Sequence, residues 1–295
     1  MHFTGLTYRP PFEAHSLLLQ ATTGCSHNRC AFCTMYRDVP FRAEPIEQVE
    51  EDLREASVYK DIVTRVFLEN GDPFALSADW LKEIAGLIHR HLPNTETIAM
   101  YASIKNIMTK TDRDLTELRQ LGINELNIGV ESGLDSVLAA MNKGYTAAEA
   151  REALLHLQSA GMDWGANIIF GAAGSGHGRE NAEATASLLN DTKPYLIFTG
   201  TIHADKGCSL YEDMQSGHFT ESTIREYLEE QRQLLSMLTL EDCFWFGLHP
   251  SNVVPMQGWL GQDRDEMLRE IDKAFLRLAP VLGTRPRRGG EGAIL

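Results

Sequence analysis

Short apolar runs alternate along most of the chain with longer segments in which apolar residues recur at helical spacing. The short runs predict six strands, which lie at 16–21, 63–68, 97–102, 126–130, 166–170 and 195–201. Between them the spacing predicts helices, which begin near Ile46 and at 81–91, 115–121, 146–160 and 181–189. This alternation predicts an α/β fold with a parallel sheet and crossover helices, either doubly wound or curved into a partial barrel.

The pattern changes after residue 220, and it predicts a division into two parts. Residues 1–220 would form the core, and residues 221–295 a C-terminal helical extension that ends in a flexible tail. In the extension we expect a helix at 224–238, a Gly-, Pro- and Trp-rich loop at 244–263, and a helix at 264–278. The basic run Arg285-Pro-Arg287-Arg288 lies in the tail, where we expect it to be solvated.

Composition narrows the class of protein. The formal net charge is −14, which argues against broad electrostatic binding of nucleic acid. No apolar run is long enough to span a membrane, and the N-terminus does not look like a signal peptide. The five cysteines are odd in number and three are clustered, which argues against a secreted disulfide framework. We therefore expect a cytoplasmic protein without membrane or nucleic-acid partners.

The clustered cysteines are Cys25, Cys30 and Cys33, and they follow the first predicted strand. Thiolates this close in sequence can bind one soft metal centre. A closed site needs four ligands, so three cysteines leave one coordination position to another group. Two hypotheses remain open at this point: a zinc site completed by His27, or an iron–sulfur cubane with one open iron.

The run Thr23-Gly24-Cys25-x4-Cys30-x-Phe32-Cys33 resembles the cluster loop of the radical S-adenosylmethionine (radical SAM) superfamily. Four residues separate the first two cysteines here, whereas the family usually has three. The resemblance implies a partial (β/α)6 TIM-like barrel and a [4Fe–4S] cluster on Cys25, Cys30 and Cys33, with S-adenosylmethionine on the open iron. Phe32 matches the family's aromatic position. The resemblance also implies an electron donor such as flavodoxin or ferredoxin.

Further motifs fall at the predicted strand ends, where ligands of parallel α/β proteins bind. Glu69-Asn70-Gly71-Asp72-Pro73 stands where the family has the glycine-rich motif that binds the amino end of the cofactor's methionine. Ser103 follows the third strand at a position where relatives contact cofactor or substrate. Tyr36 follows the cysteine loop and is predicted to cover the cluster or contact the cofactor.

The segment Asn127-Ile-Gly129-Val-Glu131-Ser-Gly133 resembles the strand-four motif of the branch that includes oxygen-independent coproporphyrinogen oxidase. The resemblance implies that Glu131 contacts the cofactor and that Lys143 reaches its carboxylate. In the fifth strand, Asn167 is a candidate ligand of the cofactor or a polar group satisfied within the protein.

The function that follows is a radical SAM enzyme in which a 5′-deoxyadenosyl radical abstracts hydrogen from a small-molecule substrate. Cys208 and Cys243 are predicted to be small apolar core residues, which leaves no ligand set for a second cluster. Two alternatives are a haem-binding chaperone related to coproporphyrinogen oxidase and a zinc-stabilised binding module without cofactor chemistry.

Overall fold

The computed structural model describes residues 1–286 and contains short and medium strands joined by helices. The strands, numbered in chain order, are β1 (Leu17–Leu19), β2 (Thr22–Thr23), β3 (Arg42–Ala43), β4 (Arg65–Leu68), β5 (Thr97–Ala102), β6 (Ile123–Glu131), β7 (Asp163–Phe170), β8 (Leu196–Thr201), β9 (Phe244–Phe246) and β10 (Gln257–Trp259). All six predicted core strands are present.

The helices alternate with the strands as the sequence pattern predicts. They are α1 (Ile46–Ala56), α2 (Ala78–His91), α3 (Ile104–Ile107), α4 (Asp112–Gln120), α5 (Asp135–Ala140), α6 (Ala147–Ser159), α7 (Gly178–Thr192), α8 (Ser209–Ser216), α9 (Ile224–Met237) and α10 (Leu260–Arg277). Two begin with a capping box, in which Thr111 starts α4 and Thr223 starts α9. None of the described helices is both long and apolar enough to cross a lipid bilayer.

The chain divides into two compact units. The first unit comprises 1–28, 35–128 and 152–164. In this unit β1, β4, β5 and the first part of β6 pair in that order, and every pairing is parallel. Helices α1 and α2 pack together, and so do α2 and α4. The strands are mostly apolar because side chains on both faces are buried; Val66, Phe67 and Leu68 are all fully buried.

The second unit comprises 29–34, 129–151 and the chain from Gly165 onward. Here β7 pairs with β8 in parallel, β8 pairs with β9 in parallel, and β9 pairs with β10 antiparallel. Helix α9 packs against both α7 and α10. Fully buried Trp245 in β9 lies beside Phe170 of β7, with 6.2 Å between the ring centroids.

Two details of the C-terminal part differ from the sequence interpretation. The segment 244–263, interpreted as a loop, contains β9 and β10. The last helix begins at Leu260 rather than near 264, and Trp259 precedes it as the N-cap residue. The division at residue 220 stays a prediction. In the basic run, Arg285 donates a hydrogen bond to the carbonyl oxygen of Glu221, whereas Arg287 and Arg288 lie outside the described residues.

Candidate functional site

In the first unit, Gly71 lies directly against Cys25. A Cβ atom on Gly71 would stand 2.6 Å from the Cβ of Cys25 and 2.9 Å from the ring of Tyr36, so only glycine fits there. The Gly71 N–H donates to the carbonyl oxygen of Gly24 at 2.9 Å, which joins the glycine motif to the start of the cysteine loop. The structure therefore brings Cys25, Tyr36 and Gly71 together.

The neighbours of Gly71 in the motif are held by different partners. Asn70 has a left-handed backbone with a φ of 76°, and its side-chain amide donates to the carbonyl oxygen of Thr22 at 2.9 Å. The side-chain nitrogen of Asn70 is therefore engaged within the protein. Asp72 is buried, and one of its oxygens accepts hydrogen bonds from Ser26 and Asn106, both at 2.6 Å.

Asp72 is the centre of a polar network at the ends of β4 and β5. Burial raises the pKa of its carboxyl group, while hydrogen bonds from Ser26, Ser103 and Asn106 and the charge of Lys110 act in the opposite direction. Ser103 is also the N-cap residue of α3, where its hydroxyl accepts from the Asn106 N–H. The predicted site residues Asp72 and Ser103 thus interact, and they do so through partners that the motifs did not indicate.

In the second unit, a buried ion pair joins the two residues of the strand-four motif. The Lys143 Nζ donates to Glu131 Oε1 at 3.1 Å, and both side chains are about nine-tenths buried, with exposed fractions of 10% and 9%. A Cβ on Gly129 would lie 2.5 Å from that Glu131 oxygen and 3.2 Å from the Lys143 Nζ, so glycine makes room for the pair. Burial acts to lower the pKa of Lys143, but the combined attraction of Glu131, Tyr145 and Cys30 and the hydrogen bond to Glu131 raise the pKa well above its usual value.

Cys30 and Phe32 of the cysteine loop lie beside the same lysine. The Lys143 Nζ is 6.0 Å from the centre of the Phe32 ring and 5.9 Å from that of Tyr145. Burial raises the pKa of the Cys30 thiol, and the charge of Lys143 acts to lower it. A cation beside a cysteine stabilises the thiolate, which is the form that binds metals. Four predicted site residues, namely Cys30, Phe32, Glu131 and Lys143, are therefore neighbours.

Backbone contacts fix the second half of the cysteine loop within this unit. The Ala31 N–H donates to the carbonyl oxygen of Met141, and the Ala31 carbonyl oxygen accepts from the Leu210 N–H, both at 2.9 Å. The side chain of Asn142 donates to the carbonyl oxygen of Arg29 at 2.7 Å. These contacts attach the loop to the segment that carries Lys143.

Asn167 lies in β7, half-buried, four residues before the turn at Gly171. That turn is held by a residue that the sequence did not indicate: Gly171 N–H donates to Glu230 of α9 at 2.8 Å. Glu230 also accepts from the Asn181 side chain at 2.7 Å, and Asn181 in turn accepts from the Ser132 hydroxyl at 2.5 Å. These hydrogen bonds link the ends of β6 and β7 to α9.

The donor set suits the predicted cluster. None of the five cysteines, all of which lie in the described part of the chain, forms a disulfide bond, and Cys25, Cys30 and Cys33 are half-buried. Cys208 and Cys243 are buried, and burial raises the pKa of Cys243 to about 12. Among residues 1–286 no group of three or more His, Cys, Asp or Glu side chains is arranged to hold a metal ion. The ligand assignment rests on the sequence.

Comparison with known proteins gives a consistent family. The model of the radical SAM superfamily matches residues 19–189. A tRNA-2-methylthio-N(6)-dimethylallyladenosine synthase from Coxiella burnetii (strain Dugway 5J108-111) is 27% identical over 192 residues, which are 62% of this chain and 43% of that protein. The chain thus spans about two fifths of the length of the curated relatives it matches.

Two solved structures show the fold. Methylornithine synthase aligns with a TM-score of 0.55 at 16% identity over 92% of this chain and 83% of that one. The radical SAM methyltransferase from Kitasatospora setae, solved with cobalamin and a [4Fe–4S] cluster bound, aligns with a TM-score of 0.51 at 15% identity over 63% of this chain and 36% of that one. The expected α/β fold, a partial TIM-like barrel, is confirmed.

Proposed function

Because this chain belongs to the radical SAM superfamily, we propose that Cys25, Cys30 and Cys33 hold its cluster and that it abstracts hydrogen from a small-molecule substrate. Membership makes the chain an enzyme whose cofactors are a [4Fe–4S] cluster and S-adenosylmethionine. Cys25, Cys30 and Cys33 would hold the cluster, which would supply the reducing electron for cleavage of S-adenosylmethionine.

The observation that carries the proposal is the contact between Gly71 and Cys25. Gly71 has no Cβ, so its backbone lies close to Cys25 and its polar groups can reach a ligand held next to Cys25. Gly71 and its neighbours bind the amino group of the cofactor's methionine through backbone atoms. Asp72 fixes the position of this segment, because it accepts hydrogen bonds from Ser26 of the cysteine loop and from Asn106 of α3.

Lys143 binds the cofactor's carboxylate, and Glu131 keeps the ammonium in place. The lysine is paired with Glu131 at 3.1 Å, so its charge is not buried alone. A carboxylate that reaches Lys143 would share the ammonium with Glu131, because an ammonium has three donors. Phe32 and Tyr145 exclude water on two sides of the Lys143 head group. Tyr36 covers the first cysteine, and Ser103 and Asn167 remain candidate contacts.

The finer assignment is the branch that includes oxygen-independent coproporphyrinogen oxidase, and it rests on the Glu131–Lys143 spacing and on the segment from Asn127 to Gly133. Buried Cys208 and Cys243 do not offer a ligand set for a second cluster, which favours hydrogen abstraction with the single cluster. The net charge of −14 favours a small molecule over a nucleic acid as substrate. A flavodoxin or ferredoxin supplies the electron.

The test uses anaerobically purified and reconstituted protein. Iron and sulfide are quantified, dithionite and S-adenosylmethionine are added, and 5′-deoxyadenosine is measured by chromatography with mass detection. We expect about four irons per chain and formation of 5′-deoxyadenosine. Cys30→Ala should lose both, whereas Cys208→Ala, a substitution of a buried cysteine outside the motif, should keep both.

The contrary results are distinct. Full iron content in Cys30→Ala would refute the ligand assignment, and loss of iron in Cys208→Ala would show that the ligand set is different. A cluster-containing protein that makes no 5′-deoxyadenosine and binds haem stoichiometrically would replace the enzyme proposal with the haem-binding alternative. Family membership already favours an enzyme over a zinc-stabilised binding module.

A further inference from the structure

Nine residues of the first unit have buried polar side-chain atoms without a hydrogen-bond partner. Three of these residues are Glu69, Asn127 and Tyr36, and their unpartnered atoms are Oε2 of Glu69, Oδ1 and Nδ2 of Asn127, and the hydroxyl of Tyr36; none of these atoms has a partner among residues 1–286. The three residues are 0%, 1% and 5% exposed. Buried polar atoms are nearly always bonded, since leaving them unpaired costs free energy. Several such atoms in one region therefore indicate a ligand.

The sheet register places Glu69 and Asn127 on one face. Asn127 of β6 is the direct partner of Tyr101 of β5, so their side chains point to the same side. The Tyr101 ring contacts Phe67 of β4 with 5.4 Å between centroids, and Glu69 follows Phe67 by two residues on the same side. The Glu69 N–H still bonds to Leu19 of β1 at 3.0 Å, so the strand geometry continues to this residue.

The side chain of Tyr101 stands between those of Glu69 and Asn127, and its ring packs on Phe67, two residues before Glu69. Glu69 and Asn127 lie on either side of Tyr101, which puts their Cα atoms about 10 Å apart by two strand spacings. Tyr36 lies close to Tyr101, Cys25 and Glu69. Burial, and then the charges of these three groups, raise the pKa of its hydroxyl group. Tyr36 is thus a neighbour of Glu69, and Glu69 and Asn127 lie on the same face of the sheet.

The charges on this face define the class of ligand. Glu125, two residues before Asn127, is neutralised by Arg65, which also donates to Glu13 at 2.9 Å through Nε. Glu69 accepts only a long hydrogen bond from Asn70, at 3.4 Å, and one from Thr7, and within the described residues it has no cationic partner. A buried carboxylate without a cation is costly, and burial raises the pKa of Glu69 to about 7.

We propose that Glu69 and Asn127 bind a primary ammonium group of the substrate, and that Asn127 Nδ2 and the Tyr36 hydroxyl bind a hydrogen-bond acceptor next to it. The ammonium donates to Glu69 Oε2 and Asn127 Oδ1, which satisfies both unpartnered acceptors. This inference rests on the proposed function, since it assigns the substrate of that enzyme to the class of small primary amines with a neighbouring carbonyl or carboxylate.

Binding of glycinamide tests the inference, and glycolamide is its matched control because a hydroxyl replaces the ammonium. Binding to reconstituted protein near pH 7 is measured by saturation-transfer-difference NMR. We expect glycinamide to bind about tenfold more tightly, as a charge-assisted hydrogen bond predicts. Glu69→Gln should abolish this preference, and Glu125→Gln, which changes a carboxylate that already has Arg65, should keep it. Equal binding of the two probes, or a preference that survives in Glu69→Gln, overturns the proposal.

A second variant separates a ligand site from a structural role. Asn127→Leu should raise the melting temperature of the protein without added amine, because it removes two buried unpaired polar atoms, and should weaken glycinamide binding. A lower melting temperature would mean that Asn127 stabilises the fold, and the proposal would be wrong. Neither measurement needs radical chemistry. Failure to make 5′-deoxyadenosine with intact glycinamide binding would therefore count against the proposed function and leave this site standing.

Discussion

Glu230 should make the stability of this protein fall as the pH rises through neutrality. Its carboxyl group is 2% exposed and accepts hydrogen bonds from Gly171 N–H and the Asn181 side chain. Burial nevertheless raises its pKa from 4.5 to about 7, and the nearby Glu226 adds to the effect. Between these two values the folded protein keeps the proton that the unfolded chain has lost. The folded state therefore binds more protons, and a rise in pH favours unfolding.

The magnitude follows from the two pKa values. A carboxyl group whose pKa is 4.5 in the unfolded chain and about 7 in the folded protein loses about 2.5 kcal/mol of stability between pH 5 and pH 8. In Glu230→Gln this contribution is absent. The variant also loses part of the hydrogen bonding to Gly171 and Asn181, but that loss does not change with pH. The free energy of unfolding of the variant relative to wild type should therefore rise by about 2.5 kcal/mol from pH 5 to pH 8.

Urea unfolding of metal-free protein at pH 5 and pH 8, in the presence of a thiol reductant, measures this difference. Other titrating groups cancel because both proteins contain them. The matched control is Glu229→Gln, which changes the exposed neighbour of Glu230 in α9 and should alter stability by less than about 0.5 kcal/mol at either pH. A difference between Glu230→Gln and wild type that stays constant with pH would refute the reasoning, since Glu230 would then be ionised across the whole range.

The remaining predictions use matched glycines and one lysine. Gly71→Ala should lower the iron bound after reconstitution, because its Cβ would lie 2.6 Å from that of Cys25, whereas Gly86→Ala meets nothing within 4 Å and should keep full iron. Gly171→Ala would place a Cβ 2.2 Å from the Tyr227 ring and should destabilise the protein to urea more than Gly161→Ala, where the φ is also positive but the space is open. Lys143→Met should weaken S-adenosylmethionine binding about tenfold or more in equilibrium dialysis on samples of matched iron content, and Lys143→Arg should retain most of the affinity; equal affinity in Lys143→Met would remove that assignment.

The local spacing of apolar residues predicted the core strands and helices, because the residues that specify each element lie within it or next to it. The strand at 97–102 was predicted with the bounds that β5 has, and α4 ends at Gln120, two residues before Gly122, whose φ of 81° glycine adopts easily. The segment 244–263 was misinterpreted because its strands depend on distant partners. Phe244–Phe246 becomes a strand by pairing with β8, about fifty residues earlier. The Gly and Pro residues in the rest of the segment 244–263 are typical of a loop.

Some residues of the candidate site could also be predicted from the sequence, and others could not. The resemblance indicated Glu131 and Lys143 by their spacing, and the structure pairs them. Glu69, Asn127 and Glu230 were not indicated as site residues, because their importance comes from burial and from missing or distant partners. The hydrogen bond between Gly171 and Glu230 joins residues 59 positions apart, and no local pattern predicts it.

The backbone gives a further reason to regard Glu131 as functional. Glu131 has a left-handed conformation with a φ of 64° at the end of β6, where glycine would fit at lower cost. Asn70, at the end of β4, has a φ of 76°, but asparagine tolerates this region and its side chain is tied to Thr22. Glutamate has no such local compensation. A non-glycine residue persists in a strained position where its side chain is needed. At Glu131 that need is the pairing with Lys143, since glycine there would leave a nearly buried ammonium without its carboxylate.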